Sequence, residues 1–361
     1  MKQRSERILL TGGHAATVGI AVVEELNKRL GSNAKIYWIG SKTAIEGRKA
    51  TTLEYKIYPD IGVKIYPIEA GKLQTKFTKY TIPSILKIPV GFAQALIAII
   101  RIRPNVVLSL GGFASFPVVF WAWLFGIPVI LHEQTVVAGR ASMAASFFSR
   151  KIALAREESQ KYFPKDKVVI TGNPVMENIT KITQKLKPSS ALTILVMGGS
   201  RGSEFVNEEV IKIVPELTQK NGALRANIIH ITGESEYEKY KSFSNENYKV
   251  ISFVDPRQMY KYYEMADLII SRSGANTVSE IIATKRPAIL IPLPRTFMNE
   301  QVKNAEYAKD FGIAKVMLET DVNPESLERL IESMKNFKVP IKGSPDKNAA
   351  EKVVDLLFDY V

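Results

Sequence analysis

Short apolar runs alternate along the chain with longer segments whose apolar positions recur at helical spacing. Residues 7–10 (RILL) read as a strand, followed by a glycine-bearing turn and a helix over 18–30. Residues 35–39 (KIYWI) and 106–110 (VVLSL) are further strands. Residues 113–131 are nearly charge-free and about long enough to cross a bilayer. Pro117, Gly126 and Pro128 divide them into a buried helix over 118–125, a Gly-Ile-Pro turn and a buried strand over 129–131. Strands over 151–155 and 168–171 complete this series. The polar stretch 177–190 leads into a second series: a strand over 192–197 (LTILVM), a glycine-rich turn over 198–202, a helix, and strands over 227–232, 249–252, 268–271 and 288–291.

This rhythm predicts parallel sheets with helices on both faces. Each half opens with a strand and a glycine-rich turn. The expected fold is α/β, with two doubly wound Rossmann-like domains, 1–176 and 190–345, facing across a cleft. An amphipathic helix over 346–361 can close against either domain, and its packing back on the first is one of the two arrangements. Ligands in such sheets sit at the carboxyl ends of the strands.

Composition narrows the function. Apolar residues make up 46% and charged residues 24%, which excludes collagen-like and wholly disordered chains. The absence of cysteine excludes disulfides, thiolate zinc sites and cysteine nucleophiles. Three histidines (His14, His132 and His230) speak against a His-rich metal centre. The 49 Lys and Arg exceed 36 Asp and Glu, and the net charge of +13 points to an anionic partner. The surplus is spread along the chain and no nucleic-acid motif accompanies it, which disfavours a nucleic-acid partner. The start, MKQRSERILL, lacks the apolar core of a signal peptide, so a cytoplasmic protein is expected. Residues 88–100 (IPVGFAQALIAII) predict a 13-residue apolar helix, too short to span a membrane. Lys72, Lys76, Lys79 and Lys87 precede it and Arg101 and Arg103 follow. It reads either as a membrane-interface helix attracted to anionic lipid or as a core helix with a solvated basic rim.

The candidate chemistry falls after the strands. Thr11-Gly12-Gly13-His14 precedes a helix, where glycines admit close approach and the helix start favours negative charge. It is neither the dinucleotide fingerprint nor a P-loop. His14 is either a general base or a residue that positions the loop. Gly111-Gly112-Phe113-Ala114-Ser115 and His132-Glu133-Gln134-Thr135 follow two further strands. Glu133 is a base, a holder of a sugar hydroxyl, or a strand-end cap. Gly198–Gly202 contains Arg201 beside backbone N–H donors, a phosphate-binding pattern. The segment 271–280 (SRSGANTVSE) opens a helix whose first N–H groups suit a pyrophosphate. Glu280 suits two vicinal ribose hydroxyls, with helix capping as the alternative for Ser273 and Glu280.

Taken in order, GGH, GGFAS, HEQ, TGNPV, GGSRG, SRSGANTVSE and NEQVKNA resemble the MurG family, from about residue 8 to 305. These are UDP-N-acetylglucosamine:lipid-linked muramoyl-pentapeptide N-acetylglucosaminyltransferases of peptidoglycan synthesis, tied to cell-wall biogenesis, cell shape and division. The resemblance implies a GT-B fold and an inverting transfer from UDP-GlcNAc to lipid I, without cofactor or metal. The protein would sit peripherally on the cytoplasmic face of the membrane, against its anionic inner leaflet. By resemblance, Ser200, Arg201 and Gly202 contact the nucleotide diphosphate, and Val254 flanks the uracil with its main chain. Ser273, Gly274, Ala275, Asn276, Thr277, Val278 and Ser279 form the pyrophosphate turn, Glu280 takes the ribose and Gln301 the GlcNAc. Thr11, Gly12, Gly13 and His14 lie near the acceptor diphosphate, with Gly112, Ser115, Glu133, Gln134 and Thr135 completing the acceptor side. His14, or Glu133, would take the proton from the acceptor 4-hydroxyl.

The sequence departs from the family at several points. The first loop has fewer glycines, Thr135 replaces a usual Asn, Met176 a usual Arg, and Glu300 a usual Gln or His. Arg201 and Arg272 are the cations available to replace the missing Arg. No D-x-D pair is present to hold a metal, so helix N-termini and glycine loops are expected to meet the diphosphate charge. The rival readings are a GT-B enzyme with another lipid acceptor, a UDP-GlcNAc epimerase, a basic nucleic-acid binder, and a non-catalytic membrane-associated relative.

Overall fold

The computed structural model describes residues 6–43, 51–71, 81–185, 191–199, 202–218, 226–339 and 343–361. Lys72, Lys76, Lys79, Ser200 and Arg201 lie outside the described residues. The chain divides into two compact units, Met1–Met176 with Asn348–Val361, and Glu177–Lys347.

The first unit holds seven parallel strands: β1 (Glu6–Thr11), β2 (Ala34–Ser41), β3 (Lys64–Ile68), β4 (Val106–Ser109), β5 (Val129–Glu133), β6 (Lys151–Leu154) and β7 (Val168–Ile170). Their order is β3-β2-β1-β4-β5-β6-β7. The helices are α1 (Ala16–Leu30), α2 (Leu53–Ile57), α3 (Thr81–Ile102), α4 (Phe116–Leu124) and α5 (Arg140–Ser146). The central strands β4 and β5 are buried along their whole length, as strands covered on both faces must be. On α1, Gly19 faces Tyr58, and a Cβ there would stand 1.8 Å from the phenol oxygen, so any larger residue would have to displace that buried ring.

The second unit begins with α6 (Glu177–Thr180), and its strands are β8 (Leu192–Met197), β9 (Ala226–Ile231), β10 (Tyr248–Ile251), β11 (Leu268–Ser271), β12 (Ala288–Leu290) and β13 (Ala314–Val316). They pair in parallel in the order β10-β9-β8-β11-β12-β13. The helices that follow are α7 (Glu204–Thr218), α8 (Tyr237–Tyr240), α9 (Met259–Met265), α10 (Ala275–Thr284), α11 (Glu300–Phe311) and α12 (Pro324–Met334). The last helix, α13 (Ala349–Phe358), packs on α1 of the first unit. Arg29 ties the two, ion-paired to Asp355 at 2.5 Å and lying 5.7 Å over the Phe358 ring.

Three sequence expectations are corrected. The 13-residue helix expected over 88–100 is the 22-residue α3, which contains Pro89. Proline removes one helical hydrogen bond without ending a helix whose apolar face continues upstream through Ile82, Ile85 and Leu86. By length and composition, its residues Ile82–Ile102 are long and apolar enough to cross a membrane. Strands β3 and β13 were not anticipated; both are sheet edges, and the half-exposed KIYPI and AKV carry no apolar run. His132 and Glu133 lie inside β5 rather than beyond it.

Beside the second core, His230 of β9 is fully buried. Its ring bridges the Tyr248 hydroxyl at 2.8 Å and the Asn207 amide oxygen at 2.9 Å, so Tyr248 donates to Nδ1 and Nε2–H donates to Asn207. Burial lowers its pKa from 6.5 to about 3. The unfolded chain therefore takes up a proton that the folded one refuses. The associated stability is complete above about pH 6.5 and is lost as pH falls toward 3. By pH 5 this single group removes about 2 kcal/mol. Urea titrations at pH 7 and pH 5 should show that loss, and a His230→Gln variant should largely lack it.

Candidate functional site

In each unit the strand order reverses direction at one place, between β1 and β4 and between β8 and β11. Crevices for ligands in doubly wound sheets open at such switch points. The register pairs Thr11 with Ser109 and Met197 with Ser271, so the two glycine-bearing loops of each unit leave the sheet side by side.

In the second unit these loops border a pocket of about 370 Å³ lined by Gly198, Gly202, Ser203, Arg272, Leu293 and Gln301. Gly202 has φ +79°, and a Cβ there would lie 2.0 Å from the Thr232 carbonyl oxygen. Any other residue would push the loop off the end of β9. Arg272 is buried and committed: Nε donates to Ser203 Oγ at 2.9 Å, Nη1 to the Ile291 carbonyl, and Nη2 pairs with Glu319 at 2.5 Å. These bonds brace the pocket wall, and Met176 is itself buried. The Ser273 hydroxyl donates to the Gln301 carbonyl and Asn304 Nδ2 to the Ser273 carbonyl, which joins the starts of α10 and α11. Gln301 Oε1 accepts from the Leu293 N–H at 2.9 Å.

Helix α10 starts at Gly274 with no side-chain cap. Gly274, Ala275, Asn276 and Thr277 are half-buried at the pole where first-turn N–H groups and the helix dipole favour an anion. Val278 and Ser279 turn into the core. Glu280 is also buried, with Oε2 accepting from the Tyr263 hydroxyl at 2.7 Å. Burial raises its carboxyl pKa to about 7, against a lowering by the Tyr263 bond. Val254 lies past the edge strand β10, half-buried, and does not line the pocket.

The first unit uses the same topology differently. Gly13, His14 and Gly112 line a small recess with Ser41, Thr43 and Thr52. His14 is exposed, with φ +67°. Gly12 is the buried hinge behind it. The start of α1 already faces an anion, because the buried Glu54 accepts from the Ala15 N–H at 3.0 Å. The polar side chains expected on the acceptor side are largely bonded inward. Thr11 closes β1 and donates to the Ile39 carbonyl, and Ser115 donates to the Gly112 carbonyl. Gln134 Nε2 donates to the Leu110 and His132 carbonyls. Glu133 accepts from the Thr135 N–H and hydroxyl and from the Gly139 N–H, with Ser142 adding a bond. The single Thr135 hydroxyl proton is shared between Glu133 and the Val137 carbonyl. Burial pushes the Glu133 carboxyl up. These bonds anchor the start of α5 at Gly139.

Sequence reasoning did not single out Tyr263, Glu54 or Asn207. Tyr263 and Glu54 lie outside every glycine motif, and their roles depend on helices that pack only in the folded chain.

Residues 11–154 match the glycosyltransferase family 28 N-terminal domain and residues 193–357 the family 28 C-terminal domain. A Bacillus cereus protein named UDP-N-acetylglucosamine–N-acetylmuramyl-(pentapeptide) pyrophosphoryl-undecaprenol N-acetylglucosamine transferase 2 is 32% identical over 368 residues, spanning 97% of this chain and 98% of the relative. A Caldicellulosiruptor saccharolyticus protein of the same name, without the numeral, is 35% identical over 335 residues, spanning 90% of this chain and 86% of its own length. The crystal structure of Acinetobacter baumannii MurG matches with a TM-score of 0.69 at 26% identity, covering 98% of this chain and 99% of that one.

The raised carboxyl pKa of Glu280 carries a cost in stability. A group whose folded pKa lies above its unfolded value of 4.5 stabilises fully below that pH, and the contribution is lost as pH rises through about 7. The ionised form at pH 8 costs about 3 kcal/mol relative to pH 4. Glu280→Gln should therefore be more stable than the wild type at pH 8, by roughly 1–3 kcal/mol, with the gap closing by pH 5. Equal stability of the two proteins in chemical melts at pH 8 would contradict this account.

Proposed function

The chain belongs to glycosyltransferase family 28, as a member of its MurG branch, and we propose that it moves N-acetylglucosamine from UDP-GlcNAc to the 4-hydroxyl of lipid-linked N-acetylmuramoyl-pentapeptide, turning lipid I into lipid II of peptidoglycan synthesis. The observation that carries the donor side is the uncapped start of α10, set at the β8–β11 switch point with Glu280 one and a half turns inside. The N–H groups of Ala275–Thr277 receive the pyrophosphate, where developing negative charge on departing UDP meets fixed dipoles. The second oxygen of Glu280 accepts from the ribose hydroxyls. Gln301 at the pocket wall holds the sugar, and Val254 meets the uracil through its main chain.

On the acceptor side, the exposed His14 takes the proton as the 4-hydroxyl attacks the anomeric carbon and the bond to UDP breaks with inversion. Gly12, Gly13 and Gly112 let the acceptor approach the backbone closely. Glu133, Gln134, Thr135 and Ser115 shape this edge of the sheet.

The acceptor is membrane-borne, and the first unit carries a matching surface. Helix α3 exposes Ile82, Ile85, Leu86, Val90, Ile97 and Ile100. Helix α4, packed on it through Trp121 Nε1 and the Phe92 carbonyl, ends in exposed Trp123 and Leu124, with Phe125 just beyond. Apolar residues of this kind, with Lys87, Arg101 and Arg103 close by, suit a helix that lies in the interface of an anionic leaflet. We place the protein peripherally on the cytoplasmic face of the membrane, where cell-wall growth, shape and division draw on its product.

Purified protein given labelled UDP-GlcNAc and lipid I should transfer label to lipid. Transfer to diacylglycerol instead would favour the rival lipid acceptor, and binding without transfer the non-catalytic relative. His14→Ala should lower kcat by about 10²–10⁴ while leaving UDP affinity in place, and unchanged turnover removes His14 from the chemistry. Glutamate at Ile85 and Leu86 together should abolish co-sedimentation with anionic vesicles without lowering turnover on a detergent-soluble acceptor.

A further inference from the structure

Glu280 stands alone on α10 as a carboxylate in an apolar setting, and its geometry is set from a different helix. The fully buried Tyr263 of α9 donates its hydroxyl to Oε2 at 2.7 Å. That hydroxyl also lies 3.9 Å from the sulfur of Met197, the last residue of β8 at the switch point. No described residue bonds the other oxygen, Oε1. Beneath the pair, the buried Arg286 guanidinium holds the ends of both helices together. Nε donates to the Tyr263 carbonyl at 3.1 Å, Nη2 reaches the Glu264 carbonyl at 3.5 Å, and Nη1 donates to the Thr284 carbonyl at 3.1 Å and the Thr183 carbonyl at 2.9 Å. Four backbone carbonyls on three segments thus fix α9 against α10.

The terminal torsion of a glutamate is soft, so a carboxylate held at neither oxygen samples a broad range. One hydrogen bond from a rigid phenol removes that freedom. We propose that Tyr263 is a positioning residue of the donor site, which pins one oxygen of Glu280 so that the other meets the ribose of a uridine diphosphate. This rests on the ribose role given to Glu280 above. Tyr263 does not touch the nucleotide, and its effect is confined to discrimination at the sugar hydroxyls.

The test is calorimetric, with UDP and 2′,3′-dideoxyuridine diphosphate as probes on the full chain. The wild type should prefer UDP by roughly tenfold or more. Tyr263→Phe, which keeps the ring and its packing, should bind the dideoxy nucleotide as the wild type does but prefer UDP by less than about threefold. An unchanged preference, or equal weakening of both nucleotides, would overturn the proposal; the latter is what a merely structural tyrosine gives. Because Tyr263→Phe leaves a buried carboxylate without its donor, the same comparison is made between Glu280→Gln and the double variant. There the amide oxygen still accepts from Tyr263 and the amide nitrogen meets the ribose, with no charge buried. Loss of the residual preference in the double variant supports the proposal, and its persistence overturns it. Failure of the donor reading itself looks different: the wild type would bind no UDP, or would bind both probes equally.

Discussion

The parallel pairing of β8 with β11, and of β1 with β4, is the constraint on which the site depends. A ladder that ends at Met197 opposite Ser271 obliges two loops to leave the sheet at one height. The backbone of one then has to pass within contact distance of its neighbours, and the glycines follow from that closeness. Gly198 shows the same demand as Gly202, since a Cβ there would stand 2.2 Å from the Ser203 nitrogen. Position in the fold thus precedes chemistry, and the pocket is a consequence of strand order.

Three buried carboxylates show how the same group is put to different uses. Glu54 and Glu133 each accept backbone N–H groups at or near a helix start, which favours their ionised forms, although burial still raises the Glu133 carboxyl pKa. Glu280 accepts from one neutral phenol and, among the described residues, from no other donor, and burial outweighs that single bond. In water a carboxylate would be ionised well below neutrality, whereas here the protonated and ionised forms are close in energy at pH 7. A buried carboxyl left short of partners destabilises the fold when ionised, and hydroxyl donors from the proposed ribose would supply what is missing.

Much of this was legible in the sequence. The runs VVLSL, LTILVM and LIIS are strands because parallel strands buried on both faces need no polar alternation, and each motif's place after a strand located it at the ligand edge. The SRSGANTVSE turn could be read as an anion-binding helix start for the same reason. What stayed hidden were relations between elements. Whether Thr11 and Ser115 point toward a ligand or back into the sheet depends on one hydrogen bond each, to Ile39 and Gly112. That Arg272 is ion-paired depends on Glu319, 47 positions later, standing beside it. Strands β3 and β13 carried no continuous apolar run because their residues are only partly buried.

The two units share a topology and differ in what lies at their helix starts. In the first, Glu54 occupies the pole of α1, so a second anion arriving there would meet a carboxylate within about one helical turn, and any phosphate held on this side must be met by the glycine loop backbone instead. In the second, no side chain caps the start of α10 at Gly274, and the helix's own carboxylate, Glu280, is held at its sixth position, facing Tyr263. The start of α1 is therefore met from within the fold, whereas the start of α10 presents its first N–H groups without a side-chain cap. That asymmetry fits the proposed division, with the nucleotide on the α10 amides and the acceptor beside the exposed imidazole of His14.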